Sequence, residues 1–368
     1  MNEPISIAPV ISHAPDFQIV MSRRCASACG YCDYPVAPSP QPPSFRAIRR
    51  LLRRATRLGA AQVTLSAGEG IENLPEIVSV CRYYGHATWW DYLRAACVAV
   101  IEERGQRVML PVLDVGPIPA TELARVREVV GSVRLMLDSG DERLLSTAAH
   151  GRAPVKSPVR RMAALEDLGH WKVPVTTGVI VGLGEDAASL DRAVRAVNGL
   201  HGRHRNIQNF VLRPFVPVAR TPMERHPAPC DTRFLAAVAE ARAILSPEIA
   251  LTAELPASRM AMAAAVLAAG ATDLGSFRIG GSERIEFGAP DALDTARDTL
   301  AAAGHAGALV ERTALMPRFD LGQALPTAIG QNLELYLHSA GAVRDSHGGG
   351  HDGYSETADD DDRRDRAA

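Results

Sequence analysis

Short runs of β-branched and aliphatic residues alternate with longer amphipathic stretches from about residue 60 onward. This alternation is typical of repeated βα units, in which helices cover the buried strands of a parallel sheet. The strands that the pattern predicts are 17–20, 61–66, 107–112, 133–137, 173–181, 207–212 and 249–252. We therefore expect an α/β protein built around a parallel sheet.

Helical spacing of apolar positions, with signals at the ends, marks segments between these strands. Ser44 is a candidate N-cap for a helix over 44–58, and a helix over 157–168 ends directly before Gly169. Further helices are predicted at 231–245, 258–269 and 290–303. At least six and up to eight strand–helix pairs favour a TIM-type (βα) barrel, complete or partial, over an open doubly wound sheet.

The end of the chain breaks this pattern. Residues 341–368 contain almost no large apolar side chain, and 359–362 are all aspartates. Such a segment buries too little apolar surface to offset the entropy lost on ordering. We expect a barrel domain over 1–340 and a disordered acidic tail over 341–368. His347 and His351 could bind a metal there, but a flexible polar tail is the simpler interpretation.

Composition and charge exclude several function classes. The 368 residues are 46% hydrophobic and 22% charged, which excludes a coiled coil or a disordered scaffold. Lys and Arg number 40 against 42 Asp and Glu, so no excess of positive charge is available to hold a nucleic acid. No stretch approaches the roughly 18 apolar residues of a membrane span, and the first residues lack a signal-peptide pattern. We expect a cytoplasmic protein with a small-molecule substrate.

Three of the six cysteines are clustered in a C-x3-C-x2-C spacing: Cys25, Cys29 and Cys32. In a reducing compartment, this spacing favours metal or redox chemistry over disulfides. Three thiolates on one loop can hold three irons of a [4Fe-4S] cluster and leave the fourth iron open to a small molecule. The alternatives are a structural zinc site with a fourth ligand from elsewhere, and three unrelated thiols. Zinc ribbons usually carry a second C-x2-C pair, which this chain lacks.

The cysteine spacing resembles the signature of the radical S-adenosylmethionine (SAM) superfamily. In that family, the amino and carboxylate groups of SAM bind the open iron. Reductive cleavage of SAM then gives a 5′-deoxyadenosyl radical, which removes a hydrogen atom from the substrate. The resemblance implies a [4Fe-4S] cluster and SAM as cofactors, and it implies that Tyr31 packs near the adenine.

Three later strand ends resemble the rest of the family's SAM site, and barrel active sites assemble at such ends. Gly68 and Glu69 correspond to the motif that receives the methionine amine, and Asp138 would accept hydrogen bonds from the ribose hydroxyls. Segment 178–185 matches the pattern G-x-I-x-G-x-x-E, whose apolar residues and backbone pair with adenine. The pattern positions of this segment are Gly178, Ile180, Gly182 and Glu185.

Each of these residues also has an ordinary interpretation. Gly68 and Gly184 suit simple turns, and Asp138 and Glu185 suit solvent-facing or helix N-terminal positions. Their occurrence together, in this order after the cysteines, favours a SAM site.

Over roughly residues 18–320, the chain looks like the smaller radical SAM subunit of the 7,8-didemethyl-8-hydroxy-5-deazariboflavin synthase family. The matching segments are 29–32, 135–138, 150–161, 173–178, 208–210, 221–223 and 226–227. The resemblance implies a substrate formed from tyrosine and a ribityl-aminouracil. A lyase reaction with hydrogen abstraction, ring closure and loss of ammonia would give the deazaflavin. It also implies a larger subunit as the partner that supplies the adduct.

Two segments depart from that family. Its Gln-Asn-Phe is usually followed by Arg-Ala-Lys, whereas residues 211–218 here read VLRPFVPV. Its Asp-Trp-Gly-Gly corresponds to DLGS at 273–276. Both segments are expected to face the substrate, so a related enzyme that acts on another aromatic or amino-acid substrate is a second hypothesis. A non-catalytic iron–sulfur or zinc-binding barrel is a third.

Chemistry alone suggests which residues handle the substrate. His150 could shuttle protons near neutrality, and Arg213 could orient a carboxylate or a uracil edge. Lys156 or Glu185 could assist the loss of ammonia. A loop histidine and a solvated lysine are the ordinary alternatives for His150 and Lys156.

Arginines provide two further candidates. Of Arg160 and Arg161, we expect Arg160 to contact the SAM carboxylate. One predicted helix carries a basic face that could dock an acidic flavodoxin or ferredoxin as electron donor, although a solvated face explains it as well. The arginines of this face are Arg46, Arg49, Arg50, Arg53 and Arg54.

Overall fold

Strands and helices alternate along most of the chain. The computed structural model describes residues 10–36, 38–105, 107–280, 291–316, 326 and 329–331. The strands are β1 (Ile11–Ser22), β2 (Gln62–Ala67), β3 (Leu110–Asp114), β4 (Ser132–Arg134), β5 (Val175–Val181), β6 (Ile207–Pro214), β7 (Ala250–Ala253), β8 (Asp273–Arg278) and β9 (Leu309–Glu311). The helices are α1 (Phe45–Arg57), α2 (Pro75–Tyr83), α3 (Trp89–Glu102), α4 (Ala120–Arg127), α5 (Pro158–His170), α6 (Ser189–His204), α7 (Asp231–Ile244), α8 (Ala263–Ala268) and α9 (Ala292–Ala302).

Three short 3-10 helices, Glu142–Ser146, Pro154–Lys156 and Ala257–Met262, complete the described elements. No helix in the described ranges is both long enough and apolar enough to cross a membrane. The predicted acidic tail at 341–368, with its two histidines, lies outside the described residues.

Strands β1 to β8 close into a parallel barrel. Each pairs with the next along the chain, and β1 pairs with both β2 and β8. In the register of β1, Asp16 lies opposite Gln62 on one side and opposite Arg278 on the other. The short β9 pairs with the beginning of β1. The prediction of a TIM-type α/β barrel is therefore confirmed, and the barrel is complete.

The apolar core lies between the barrel and the surrounding helices. On β1, Phe17 and Ile19 are fully buried in the same apolar cluster as Ile48 and Leu52 of α1. Successive side chains of a strand point to opposite faces, so the residues that alternate with Phe17 and Ile19 point into the barrel. Asp16 is one of these, which shows that the inner face of the strand is polar.

The interior of the barrel is a polar chamber rather than a packed core. TIM-type barrels usually fill this space with layers of branched apolar side chains. Here, the interior holds a cavity with charged groups on its wall. The wall includes three carboxylates and four guanidiniums, namely Asp16, Asp114, Glu254, Arg134, Arg213, Arg278 and Arg312. We call this space the lumen.

A buried ion pair covers the end of the lumen at which the strands begin. Asp273, the first residue of β8, is fully buried and accepts hydrogen bonds from Arg312 Nε at 2.7 Å and Nη2 at 3.0 Å. It also accepts bonds from Ser12 Oγ at 2.7 Å, Thr252 Oγ1 at 2.9 Å and the Gly275 amide at 2.8 Å. These donors come from β1, β7, β8 and the segment after β9, so Asp273 joins the strands at which the sheet closes.

Most predicted elements exist, with shifts at their ends. Ser44 is the N-cap of α1, and its Oγ accepts a hydrogen bond from the Ala47 amide at 3.3 Å. The strand predicted at 107–112 starts only at Leu110, and the helix predicted at 258–269 begins as a 3-10 helix. The pattern did not predict α2, α4, α6, β8 or β9. Glycines inside α6 and β8 weakened their periodic signals.

Replacing Asp273 with alanine should leave the Arg312 guanidinium buried without its counter-charge. We expect the free energy of unfolding to fall by about 3–5 kcal/mol, measured by denaturant unfolding followed by circular dichroism. Asp294→Ala, which removes the exposed pair with Arg297 on α9, is the matched control and should change little. Equal losses in the two variants would contradict the closing role of Asp273.

Candidate functional site

The three clustered cysteines lie on the loop that follows β1, with Cys25 and Cys29 half-buried and Cys32 exposed. Backbone amides point at two of the sulfurs. The amides of Ser27 and Glu69 lie 3.4 and 3.3 Å from Cys25 Sγ, and the Tyr34 amide lies 3.4 Å from Cys32 Sγ. Amide donors of this kind stabilise cluster sulfurs and tune the cluster potential.

Two glycines let the rest of the site approach this loop. A Cβ on Gly68 would lie 2.0 Å from the Arg24 carbonyl oxygen and 2.4 Å from Cys25 Cβ. A Cβ on Gly30 would lie 1.9 Å from the Ala148 carbonyl oxygen. Gly68, predicted as a site residue, therefore has a steric reason for being glycine, because it packs directly against the first cysteine.

The thiols of Cys29 and Cys32 do not have the lowered pKa values of nucleophilic cysteines. Burial raises the pKa of Cys29 to about 12 and also raises the pKa of Cys32. Nucleophilic cysteines instead have lowered pKa values. Metal binding to these thiols must displace their protons.

Two carboxylates and two cations form a buried cluster beside the cysteine loop, which we call the charge cluster. Glu69 follows β2, Asp138 follows β4, Lys156 ends a 3-10 helix, and Arg161 lies in the first turns of α5. Lys156 Nζ lies 2.8 Å from Glu69 Oε1 and 2.7 Å from Asp138 Oδ2. Arg161 Nη2 also donates to Glu69 Oε1 and lies 3.9 Å from Asp138 Oδ2.

The charges of this cluster stabilise one another. Burial alone would raise the pKa values of Glu69 and Asp138, but Lys156 and Arg161 outweigh it and lower both. Burial alone would lower the pKa of Lys156, but Asp138 and Glu69 raise it. Lys156 is therefore a locked ammonium and not a solvated lysine.

Asp138 has a backbone conformation that needs local support. Its φ is +64°, in the left-handed region that non-glycine residues seldom adopt. Its amide donates to the Gly178 carbonyl at 2.9 Å, and its own carbonyl accepts from the Ile180 amide at 2.9 Å. This bridge to β5 aims the Asp138 carboxylate at the charge cluster. Such strained positions often occur at functional sites.

The structure corrects the choice between the two neighbouring arginines of α5. Arg160 is exposed, whereas the Arg161 side chain is 1% exposed and contacts Glu69. Successive residues of a helix point about 100° apart, so only one of the two can face the barrel. Arg161, and not the predicted Arg160, belongs to the charge cluster.

The side chains of Tyr31 and His150 contact each other beside a small apolar patch. The Tyr31 hydroxyl lies 3.1 Å from His150 Nε2, and the two rings stand edge to face. Burial lowers the pKa of His150 to about 4, so this histidine is neutral at pH 7 and does not gain and lose a proton near neutrality. Tyr31 also packs against a small apolar cluster that contains Ile180, Leu183 and Phe215. This packing places the Tyr31 ring among apolar side chains beside the charge cluster.

The predicted motif at the end of β5 forms a tight glycine turn. A Cβ on Gly178 would lie 2.0 Å from the Val211 carbonyl oxygen, so this position needs glycine. Gly182 and Gly184 have φ values of +99° and +92°. The Gly182 amide donates to Glu185 Oε1 at 2.8 Å. Glu185 therefore stabilises its own turn.

In the lumen, Arg213 lies in an ion-pair network. Its Nε donates to Glu254 Oε2 at 2.7 Å, and Arg134 Nη1 and Nη2 bind both oxygens of Glu254 at 2.9 and 2.8 Å. Burial alone would raise the pKa of Glu254, but the two arginines lower it. Burial does raise the pKa values of Asp16 and Asp114. The lumen thus contains both fixed charges and carboxyl groups that can exchange protons.

Sequence reasoning missed most of these lumen residues, although the sequence contains a signal for them. Ser132 and Arg134 alternate along β4, and Thr252 of β7 alternates with Glu254, the residue that directly follows that strand. Strands of a parallel sheet are covered on both faces and usually read as continuous apolar runs. A polar residue at every second position of such strands therefore indicates a polar interior.

The residues present fit the two predicted cofactors. Three thiols on one loop, two of them facing amide donors, suit a [4Fe-4S] cluster. In the adjacent charge cluster, Glu69 Oε2 and Arg161 Nε and Nη1 are buried without a hydrogen-bond partner among the described residues. Buried polar atoms normally have partners. A ligand that carries both an ammonium and a carboxylate, as SAM does, would satisfy both kinds of group.

Known proteins are similar to this chain in amino-acid sequence. A family model of the radical SAM superfamily matches residues 19–197. The chain is 30% identical over 268 residues to 7,8-didemethyl-8-hydroxy-5-deazariboflavin synthase of Methanoculleus marisnigri, which covers 72% of this chain and 77% of that protein. It is 28% identical over 243 residues to the enzyme of that name from Methanothermobacter thermautotrophicus (66% and 72%). It is 28% identical over 320 residues to FO synthase of Nocardia farcinica (84% and 36%).

Solved structures share the fold. HydG, a maturase of the [FeFe]-hydrogenase, gives a TM-score of 0.65 at 14% identity, covering 95% of this chain and 84% of that chain. Methylornithine synthase (PylB) gives a TM-score of 0.60 at 18% identity, covering 81% and 83%. At these identities, the likeness concerns the fold alone.

The two neighbouring arginines of α5 provide a matched test of the charge cluster. Arg161→Met should leave Glu69 and Asp138 with one cation fewer in a buried site and lower the free energy of unfolding by about 3–5 kcal/mol. Arg160→Met changes an exposed side chain and should have almost no effect. Denaturant unfolding of the two variants at neutral pH measures the difference. A larger loss of stability in Arg160→Met than in Arg161→Met would contradict the assignment of Arg161 to the charge cluster.

Proposed function

Because the chain belongs to the radical SAM superfamily, as a relative of the deazariboflavin synthases, we propose that it cleaves SAM at a [4Fe-4S] cluster bound by Cys25, Cys29 and Cys32. When bound, the cluster supplies the electron that splits SAM and so provides a 5′-deoxyadenosyl radical. One observation carries this proposal. The three-cysteine loop lies against a buried cluster of two carboxylates and two cations with unpartnered polar atoms.

The charge cluster provides a group for each polar part of SAM. The Glu69 carboxylate would accept bonds from the methionine ammonium, and Arg161 would bind the methionine carboxylate. Asp138 would accept bonds from the ribose hydroxyls. Lys156, held between Glu69 and Asp138, keeps both ionised and so preserves them as acceptors.

The apolar patch would hold the adenine. Tyr31 and Ile180 form part of it, and the glycine turn at Gly182 and Gly184 places backbone groups at its edge. Neutral His150 would fix the Tyr31 hydroxyl through their hydrogen bond. Its part in this proposal is to position Tyr31.

The lumen would hold the substrate. Its wall offers both hydrogen-bond donors and acceptors to a polar small molecule. We propose a lyase reaction of the deazaflavin-synthase type on a tyrosine–ribitylaminouracil adduct, with loss of ammonia. Arg213 would orient a carboxylate or the uracil edge. Asp16 and Asp114, whose pKa values burial raises, are better placed than Lys156 to exchange protons with a substrate in the lumen.

A second candidate function has its own support. Glu254 neutralises much of the charge of Arg213 and Arg134, and segments 211–218 and 273–276 depart from the deazaflavin pattern. A related radical SAM enzyme with another polar aromatic or amino-acid substrate would use the same SAM site with this different lumen.

Two partners follow from the proposal. A larger deazaflavin synthase subunit would supply the adduct, and an acidic flavodoxin or ferredoxin would supply electrons. The exposed arginines of α1 support an acidic donor, since that helix contains no carboxylate. A cytoplasmic location stays a prediction.

SAM cleavage is tested on protein reconstituted anaerobically with iron and sulfide. After reduction with dithionite and addition of SAM, we expect 5′-deoxyadenosine by liquid chromatography and mass spectrometry. Cys29→Ala, which removes one cluster ligand, should give none above background while keeping the circular dichroism of the wild type. If purified protein holds zinc instead of iron, or if SAM leaves the EPR signal of the reduced cluster unchanged, the non-catalytic scaffold is favoured.

The substrate is tested by adding the tyrosine–ribitylaminouracil adduct to protein that already cleaves SAM. We expect deazaflavin fluorescence, and Arg213→Gln should lower kcat/KM at least about tenfold because one charged hydrogen bond to the substrate is lost. Arg220→Gln, at an exposed loop position, is the control. Active SAM cleavage without fluorescence would reject the adduct and support the second candidate.

A further inference from the structure

Two histidines and a glutamate meet on the outside of the barrel, where α5 and α6 end. Glu166 and His170 lie on α5, and His204 is the last residue of α6. One ligand atom of each lies within 4.8 Å of the ligand atoms of the other two. Helices of a βα barrel run opposite to its strands, so this group lies at the end of the barrel away from the cysteine loop.

The sequence builds this group through spacing and through a glycine. Residues four apart share one face of a helix, which places Glu166 beside His170. His204 is buried, and its ring centroid lies 4.8 Å from that of His170. A Cβ on Gly169 would lie 2.6 Å from the His204 imidazole. Glycine at 169 therefore makes room for His204 against α5.

The electrostatics of this position favour a cation. Both helices end here, and helix C-termini carry partial negative charge. His204 Nε2 contacts Glu166 Oε1 directly, so two ligand atoms already face each other. Arg203 donates to both Glu166 oxygens, from Nε to Oε1 at 3.3 Å and from Nη2 to Oε2. Arg203 is largely exposed and competes for the carboxylate from the solvent side.

We propose that Glu166, His170 and His204 bind a divalent transition-metal ion of the zinc class. Two imidazole nitrogens and one carboxylate oxygen are ligands that Zn²⁺ accepts in proteins, whereas Ca²⁺ and Mg²⁺ prefer sites made of oxygen ligands. The exposed side of His170 leaves room for water to complete the coordination. The ion would replace the direct contact between Glu166 and His204 and link α5 to α6. This role is structural and independent of the chemistry proposed for the cysteine loop.

Zinc binding is measured on the cluster-loaded protein, so that the three clustered cysteines are occupied. The protein is dialysed anaerobically against chelator-buffered Zn²⁺, and bound zinc per chain is determined by mass spectrometry of the metal. We expect the wild type to bind one zinc more than His170→Ala, and we expect Zn²⁺ to raise the melting temperature of the wild type but not that of His170→Ala. His305→Ala, a half-buried histidine after α9, is the control and should keep the wild-type uptake.

A second variant separates a metal site from an ordinary ion-pair network. Arg203→Ala removes the cation that competes for Glu166, so zinc should bind roughly fivefold more tightly. A purely structural network would give no such gain. The proposal is overturned if wild type and His170→Ala take up equal zinc, if His305→Ala loses as much as His170→Ala, or if Arg203→Ala binds zinc no more tightly than the wild type.

Discussion

The structure depends on closing a barrel whose interior is lined mainly by polar and charged side chains. The buried pair of Asp273 and Arg312 stabilises the place where the sheet closes. The Asp273 carboxylate accepts hydrogen bonds from β1, β7, β8 and the segment after β9. The remaining stabilisation comes from the apolar layer between strands and helices. The interior is therefore free to carry charge, and a chamber for a polar ligand can exist where related architectures pack branched side chains.

At the end of the barrel where the strands finish, the position of the cysteine loop depends on two glycines. Gly68 and Gly30 allow the cysteine loop to pack against the ends of neighbouring segments at distances that any side chain would prevent. This contact brings the cysteines beside Glu69, and the bridge between Asp138 and β5 brings a second carboxylate to the same place. Lys156 and Arg161 then hold both carboxylates ionised in a buried site. The three cysteines, the charge cluster and the apolar patch around Tyr31 thus lie beside one another.

The sequence predicted the features that local patterns encode, namely the strands, the helices and the cysteine motif. It did not predict the features that depend on which way a side chain faces in the folded chain. Strand and helix periodicity gave the barrel, and the cysteine spacing with the later motifs gave the SAM superfamily. The choice between Arg160 and Arg161 failed because helix phase decides which of them faces inward, and both residues look alike in sequence. Lys156 was predicted as a catalytic candidate with a solvated lysine as the alternative, and its buried ion pairs were not foreseen because its two carboxylate partners lie 87 and 18 positions away along the chain. Arg134 and Glu254 were overlooked since buried parallel strands were expected to be apolar.

The charge balance of the lumen has a thermodynamic consequence. Its three carboxylates and four guanidiniums are balanced when all are ionised and Asp273, the buried partner of Arg312, is counted with them. A molecule that brings net negative charge into this chamber disturbs that neutrality, and Asp16 and Asp114 are the groups on which a compensating proton can settle, because burial already favours their neutral forms. Binding of a negatively charged ligand would therefore be accompanied by proton uptake. The affinity for such a ligand would then depend on pH as well as on the charge of the ligand.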